Sequence, residues 1–144
     1  MEHLHKISIK EFMTRDPVSL GPGENLADAY EKMHVHNIRH LPVVNEAGEV
    51  IGMFSVMDLN HAYTPHETEE GWFYDKEGLA ELRLEHFMTK DPRTLTPEDS
   101  LKQAAEVMAG SHFGALPIVD SAATKKLVGI VSYVDILREI AKFF

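Results

Sequence analysis

Two stretches of the chain carry apolar residues at a spacing of three to four, which predicts two helices that each bury one face. Each stretch opens with a short polar side chain and a polar partner three residues later, Asn25 with Asp28 and Ser100 with Gln103. This pairing is typical of a capping box, in which both side chains accept hydrogen bonds from amides at the helix start. The apolar positions are Leu26, Ala29, Tyr30 and Met33 in the first helix and Leu101, Ala104, Ala105 and Met108 in the second.

Short apolar runs follow the first helix and predict strands. Leu41–Val44 and Val50–Phe54 flank a turn-rich gap that contains Gly48, which indicates a hairpin. Neither run alternates strictly with polar residues, so we expect both faces of these strands to be covered. Two shorter strands, Val18–Leu20 and Arg93–Leu95, are predicted after Asp-Pro pairs, because the residue before a proline favours extended geometry.

A further helix is predicted after Ser55 and again after Ser132. The helix after Ser132 covers Val134–Lys142. Its apolar residues recur at helical spacing, which predicts one buried stripe. The stripe consists of Ile136, Leu137 and Ile140.

Similar segments recur along the chain, which indicates an internal duplication. Phe12–Pro17 is echoed by Phe87–Pro92, and Leu41–Val44 is echoed by Leu116–Val119, both at an offset of 75 residues. Each copy is predicted to form a strand, a helix, two strands and a helix. A unit of about 55 residues buries so small a fraction of its surface that it would be only marginally stable by itself. We therefore predict that the two copies pack together through their sheets.

The most complete match within the duplication is Gly52–Asp58, which returns as Gly129–Asp135. Each copy has a glycine, an apolar pair, a serine and, three residues after the serine, an aspartate. At a strand-to-helix junction, the hydroxyl could face a phosphate beside free helix amides, and the carboxylate could accept hydrogen bonds from a ribose diol. The same pattern also suits a helix N-cap, and the two roles can coexist.

Composition narrows the classes of function. The formal charge of -9 disfavours nonspecific binding to nucleic acid or to an anionic membrane, since both depend on a basic surface. The chain has no cysteine, which excludes disulfides, thiolate metal sites and cysteine nucleophiles. No apolar run approaches the roughly 18 residues of a membrane span, and the first residues lack the apolar core of a signal peptide. We therefore expect a cytoplasmic protein.

Four motifs occur in the same order twice: F-M-T-x-D-P, a capped helix, L-P-h-V and G-h-h-S-x-x-D-h, where h is apolar. This arrangement resembles a tandem pair of cystathionine-beta-synthase (CBS) domains, also called a Bateman module. The resemblance implies an α/β (α+β) fold, with two β-α-β-β-α repeats related by a pseudo-twofold axis. It places the first domain at 9–59, a linker at 60–83 and the second domain at 84–144. No catalytic domain remains, so an enzyme is not expected.

The resemblance also implies a ligand. In the family, adenosine ligands such as AMP, ADP, ATP and sometimes S-adenosylmethionine lie in the clefts between paired domains. Asp58 and Asp135 would then accept hydrogen bonds from the ribose hydroxyls, and Ser55 and Ser132 would face the phosphate. The residues that would line the adenine are Val18, Met53 and Ile130, which are also ordinary core residues.

The two copies differ where cations would meet the phosphate. Arg39 and His40 precede the first L-P-h-V motif, whereas Gly114 and Ala115 precede the second. By resemblance to nucleotide-binding members of the family, basic residues here would approach phosphates. We therefore expect one favoured nucleotide site. The alternative is that Arg39 and His40 are solvated residues at a strand edge.

These observations predict a regulatory module that senses an adenosine nucleotide and signals to an unidentified effector protein. By resemblance, the module would form a homodimer. The alternatives are a ligand-independent structural adaptor and a binder of S-adenosylmethionine. No cofactor and no native metal site are expected, because His34 and His36 are two residues apart at a helix end and face different directions, even with His40 nearby.

The predicted linker contains three adjacent aromatic residues, Trp72–Tyr74, in a polar setting. We expect them to cover the domain pair, to lie in a dimer interface or to anchor a partner. A helical turn is predicted at the end of the linker, formed by Leu79, Leu82 and Leu84. The remaining polar residues of the linker are expected to be solvated, namely His61, His66, Glu67, Glu69 and Glu70.

Overall fold

A computed structural model describes residues 6–62, 66–68, 71–73 and 76–144, with side chains for 6–62 and 77–144. The chain divides into two compact units, each assembled from separate segments. Unit one consists of Val18–Glu46 and Ile51–Asp91. Unit two consists of the chain up to Pro17, Ala47–Val50 and Pro92–Phe144. Each unit is built around one copy of the duplicated sequence.

Unit one contains a three-stranded sheet in the order β2-β3-β6. Among the described side chains of unit one, the largest that is fully buried is that of Phe54 on β3, which lies in a core with Leu41 and Leu26. Two residues from beyond the first copy, Leu79 and Leu84, are also fully buried in this core. The elements are α1 (Leu26–His36), β2 (His40–Val44), β3 (Val50–Ser55), α2 (Val56–Ala62), β4 (His66–Thr68), β5 (Gly71–Phe73), α3 (Lys76–Ala80) and β6 (Thr89–Lys90).

Unit two repeats this plan with a sheet in the order β1-β8-β7. All five residues of β7 are buried, which agrees with the prediction that these strands are covered on both faces. Its core includes Ile9 from the start of the chain together with Leu116 and Val131 from the sheet. The elements are β1 (Thr14–Arg15), α4 (Leu101–Ala109), β7 (Ala115–Val119), β8 (Leu127–Ser132) and α5 (Tyr133–Ala141).

The short strand at the start of each copy pairs with the sheet of the other copy. β6 runs antiparallel to β3, with Gly52 opposite Lys90, and β1 runs antiparallel to β8, with Gly129 opposite Arg15. A Cβ atom on either glycine would lie 2.6 Å from a methionine sulfur, which belongs to Met88 in unit one and to Met13 in unit two. The glycines are therefore required by close packing of the neighbouring strand. This explains why the F-M-T-x-D-P and G-h-h-S motifs occur together.

The helix starts were predicted correctly. Asn25 with Asp28 and Ser100 with Gln103 form complete capping boxes at α1 and α4. The strands predicted at 18–20 and 93–95 are reduced to single bridges, Leu20 with Val43 and Leu95 with Ile118. Each of these short extended segments pairs through one residue with a strand of the sheet, but neither forms a continuous ladder of hydrogen bonds.

The stripe predicted on the last helix is partly wrong. α5 begins one residue earlier than predicted, at Tyr133, and buries Ile136 while Leu137 is 59% exposed. Ile140 is partly buried against the core of unit two. The buried face of α5 is therefore narrower than its apolar residues predict.

The predicted linker contains regular structure. β4 and β5 pair antiparallel, with His66 opposite Phe73, and α3 follows them. Leu79 lies in α3, and Leu84 opens a single 3-10 turn, which confirms the predicted helical turns. Trp72 and Phe73 form part of β5, but their side chains, and all of Tyr74, lie outside the described residues, so the role predicted for these aromatics stays a prediction. None of the described helices has the length and hydropathy needed to cross a membrane.

Candidate functional site

The two S-x-x-D motifs lie at equivalent strand-to-helix junctions, where β3 leads into α2 and β8 leads into α5. In unit one the Oδ2 atom of Asp58 accepts hydrogen bonds from the Ser55 amide at 2.8 Å and from the Ser55 hydroxyl at 3.1 Å. The Asp58 amide donates to the Ser55 hydroxyl at 3.3 Å. Ser132 and Asp135 make the same three bonds in unit two, at 2.8, 3.1 and 3.3 Å. Both motifs are therefore capping boxes.

Some of the backbone amides at each helix start are already hydrogen-bonded within the chain. The first amide of each helix donates to a backbone carbonyl, Val56 to Arg39 at 3.0 Å and Tyr133 to Gly114 at 3.1 Å. The third amide is bound by the capping serine. Both junctions therefore have fewer free amides for a phosphate than a helix start without these bonds. A phosphate bound here would depend mainly on side chains.

The second carboxylate oxygen remains available for a ligand. Among the described residues, the hydrogen bonds of Asp58 and Asp135 end on Oδ2, and Oδ1 accepts none. Both aspartates are half-buried. Each can therefore accept a hydrogen bond from an incoming hydroxyl while it continues to cap its helix.

Arg39 and His40 lie where the chain enters β2 of unit one, and the Arg39 backbone is beside the start of α2. Asn37 ends α1 in the left-handed conformation, with a φ of 51°, and this turns the chain towards β2. The Arg39 carbonyl then accepts the hydrogen bond from the first amide of α2. A cavity of about 230 Å³ beside Arg39 is lined by side chains of α1 and α2, including Tyr30 and Val56. The structure therefore brings Arg39 next to the Ser55–Asp58 junction.

His40 is affected by the charges of both Arg39 and Asp58. Its pKa is lowered from the ordinary value, first by burial and then by the positive charge of Arg39, while the negative charge of Asp58 opposes the shift. Burial penalises the imidazolium because a charge loses solvation in the protein interior. The positive charge of Arg39 and the negative charge of Asp58 thus both act on His40 in unit one.

The matching positions of unit two carry no cation. Gly114 and Ala115 stand where unit one has Arg39 and His40, and the backbone hydrogen bond to the helix is retained. Tyr133, which has Val56 as its counterpart, is 52% exposed at the helix start. The basic residue of α5 is Arg138, one turn further along the helix and exposed.

The residues predicted to line an adenine are distributed over both units. Val18 is partly buried against the core of unit one, and Met53 is buried within β3 with 8% exposure. Ile130 lies in β8 of unit two, opposite Thr14 and Pro117. All three contribute to packing, and their contact with a ligand stays a prediction.

The described residues contain no cluster of three histidine, aspartate or glutamate side chains placed to hold a metal ion. His34 and His36 are exposed at the end of α1, and the His34 ring stacks on Tyr30 at a centroid distance of 6.0 Å. His61 is exposed on α2, as predicted. The other residues predicted to be solvated, His66, Glu67, Glu69 and Glu70, lie outside the described side chains.

Comparison with known proteins identifies the family. A family model for the CBS domain matches residues 9–64 and again 84–142. An uncharacterized protein from Methanocaldococcus jannaschii, MJ1225, is 32% identical over 143 residues, which cover 92% of this chain and 47% of that protein. The crystal structure of MJ1225 matches with a TM-score of 0.77 at 30% identity over 96% of this chain and 51% of that one. This chain thus spans about half the length of that relative.

Two further crystal structures share the fold. The CBS domain pair of protein MJ0100, in complex with 5'-methylthioadenosine and S-adenosyl-L-methionine, matches with a TM-score of 0.78 at 23% identity and covers 95% of this chain and 98% of that one. CBSX2 in complex with AMP matches with a TM-score of 0.74 at 20% identity, with the same two coverages. At these identities the likeness establishes the fold, and any ligand must be argued from the residues of this chain.

Proposed function

Because this chain belongs to the CBS domain family and carries the domain as a tandem pair, we propose that it is a regulatory module that binds an adenosine nucleotide. Occupancy would be signalled to a partner protein, which requires the nucleotide to favour one conformation of the module over another. The module itself would carry no catalysis. Relatives of the same fold bind AMP or S-adenosylmethionine, which supports the class of ligand.

The observation that carries this proposal is the group formed by Asp58, Arg39 and His40 beside Ser55. The unused oxygen of Asp58 suits a ribose hydroxyl, and a carboxylate is a strong acceptor for it. The Arg39 guanidinium suits a phosphate, since charge-assisted hydrogen bonds to phosphate are about twice as strong as neutral ones. Unit one thus offers one polar group for the ribose and one for the phosphate of a nucleotide.

A calorimetric titration with AMP, ADP, ATP, adenosine and S-adenosylmethionine tests the proposal. Asp58→Asn keeps an acceptor for the helix cap but removes the charge, so we expect weaker nucleotide binding at an unchanged melting temperature. Asp135→Asn is the matched variant of unit two, and it should have the smaller effect on AMP. Absence of binding by all five compounds would exclude a nucleotide sensor. Preferred binding of S-adenosylmethionine would exclude the phosphate role of Arg39.

A second candidate function is a structural adaptor that acts as a homodimer. It is favoured by apolar side chains on the surface of unit two, with Leu137 59%, Tyr133 52% and Phe144 88% exposed. Exposed apolar groups of this size often mark an interface. Sedimentation equilibrium of the chain and of Leu137→Glu would test it. A dimer lost in the variant, together with no response to nucleotides, would favour the adaptor over the sensor.

A further inference from the structure

In unit one a lysine spans the space between α1 and the segment before it. Lys32 on α1 donates a hydrogen bond to the Ser19 carbonyl at 2.8 Å. Its ammonium also pairs with Glu24 at 3.2 Å, and Glu24 accepts a hydrogen bond from the Gly21 amide at 2.7 Å. The aliphatic stem and the ammonium of Lys32 therefore occupy this groove.

Unit two lacks that lysine. At the offset of 75 residues, Val107 replaces Lys32 and Asp99 replaces Glu24. The turn is kept, because Asp99 accepts a hydrogen bond from the Thr96 amide at 2.8 Å. Val107 lines an open cavity of about 640 Å³ in unit two. The helix position that carries a charged side chain in unit one therefore carries an apolar side chain that lines a cavity in unit two.

The cavity in unit two carries opposite charges beside an apolar surface. Arg93 lies on one side, and it makes no ion pair or hydrogen bond with the side chains that the structure describes. Glu106 of α4 lies on the lining too, paired with Lys102 at 3.4 Å by an exposed ion pair, and such pairs are weak. The apolar part of the lining is formed by Leu95, Val107 and Phe113.

We propose that this cavity binds a free amino acid with an apolar side chain. The Arg93 guanidinium would pair with the carboxylate of the ligand, Glu106 would accept a hydrogen bond from its ammonium, and Leu95 and Phe113 would cover its side chain. Glu106 would repel a ligand that carries only a negative charge. Arg93 would repel a ligand that carries only a positive charge. The zwitterion matches both charges, and neither Ser132 nor Asp135 lines the cavity.

The test is an NMR titration of the full chain with L-phenylalanine. We expect saturable shifts of the Val107 and Phe113 amides. Hydrocinnamate lacks the ammonium and phenethylamine lacks the carboxylate, so each should bind at least about tenfold more weakly. Equal affinity for the three compounds, or no saturable shift up to roughly 10 mM phenylalanine, would overturn the proposal.

Val107→Lys provides the matched control, because unit one shows that a lysine fits at this position of the same fold. We expect the variant to stay folded and to lose phenylalanine binding, with its melting temperature lowered only by the loss of Val107 packing against the core of unit two. Arg93→Ala, at an exposed position, should weaken phenylalanine binding about tenfold without affecting the fold. Undiminished binding by both variants would place the ligand elsewhere. Displacement of phenylalanine by AMP would assign the cavity to the nucleotide. That result would overturn this inference and the nucleotide site proposed in unit one, although the module would still bind a nucleotide.

Discussion

The helix after Ser55 and the helix after Ser132 begin with the same hydrogen bonds, at the same distances, but they stand beside different side chains. Unit one places Arg39 and His40 there, and unit two places Gly114 and Ala115. The shared bonds cap a helix in both units and need no ligand to explain them. What distinguishes the units is charge, so the charge of a ligand should decide which unit it prefers.

The largest effect is expected where the units agree most closely, at the glycines that face a methionine. Gly52→Ala and Gly129→Ala would each place a methyl group 2.6 Å from a methionine sulfur, and 3.1 and 3.0 Å from a strand carbonyl. Overpacking of this kind costs about 1–3 kcal/mol. We expect both variants to lower the free energy of unfolding by similar amounts in urea denaturation. Gly23→Ala, where a Cβ meets nothing within 4 Å, is the control and should change little.

The next effect concerns charge at the two junctions. Arg39→Ala should weaken AMP binding about tenfold and leave adenosine binding unchanged, because only the phosphate contact is lost. Gly114→Arg, which introduces the same cation into unit two, should raise the affinity for AMP. Calorimetric titration measures the affinity of both variants for AMP. Arg138→Ala is the control, and an equal loss of AMP binding in this variant would show that the difference between the units is not the cause.

A smaller effect should be the same in both units. Ser55→Ala and Ser132→Ala each remove a helix cap, which costs about 1 kcal/mol. Urea denaturation should therefore show equal losses of unfolding free energy for the two variants. A clearly larger loss in one unit would mean that its serine has a further structural partner, and that the two junctions differ in more than charge.

The smallest effect is a pH dependence confined to unit one. The pKa of His40 is lowered in the folded chain, chiefly by burial, so the unfolded chain binds the proton more readily. Stability from neutral His40 is therefore complete above the ordinary histidine pKa and is lost as the pH falls through that value towards the lowered one. Unfolding free energies measured from pH 7.5 to 5, against His40→Gln, should show a steeper decline for the unchanged chain. Equal slopes would contradict the assignment.

Local patterns predicted the features that depend on neighbouring residues. Asn25, Ser100 and Ser132 cap helices because a short side chain can reach an amide three residues away wherever the helix packs. The pairing of serine and aspartate in each S-x-x-D motif could be predicted for the same reason, because the two residues are three positions apart. Burial along α5 was predicted less well, since Leu137 is as apolar as Ile136 and only the position of the sheet decides which is covered.

The sequence by itself determined the duplication, the helix caps, the four main strands and the contrast between Arg39–His40 and Gly114–Ala115. These follow from residue identity and short-range geometry. Tertiary structure alone decided that each opening strand pairs with the sheet of the other copy, that Arg39 lies beside the Asp58 junction, and that Val107 lines a cavity where its counterpart Lys32 binds Ser19. These depend on contacts between residues far apart in the chain, where many pairings suit the same pattern and packing selects one.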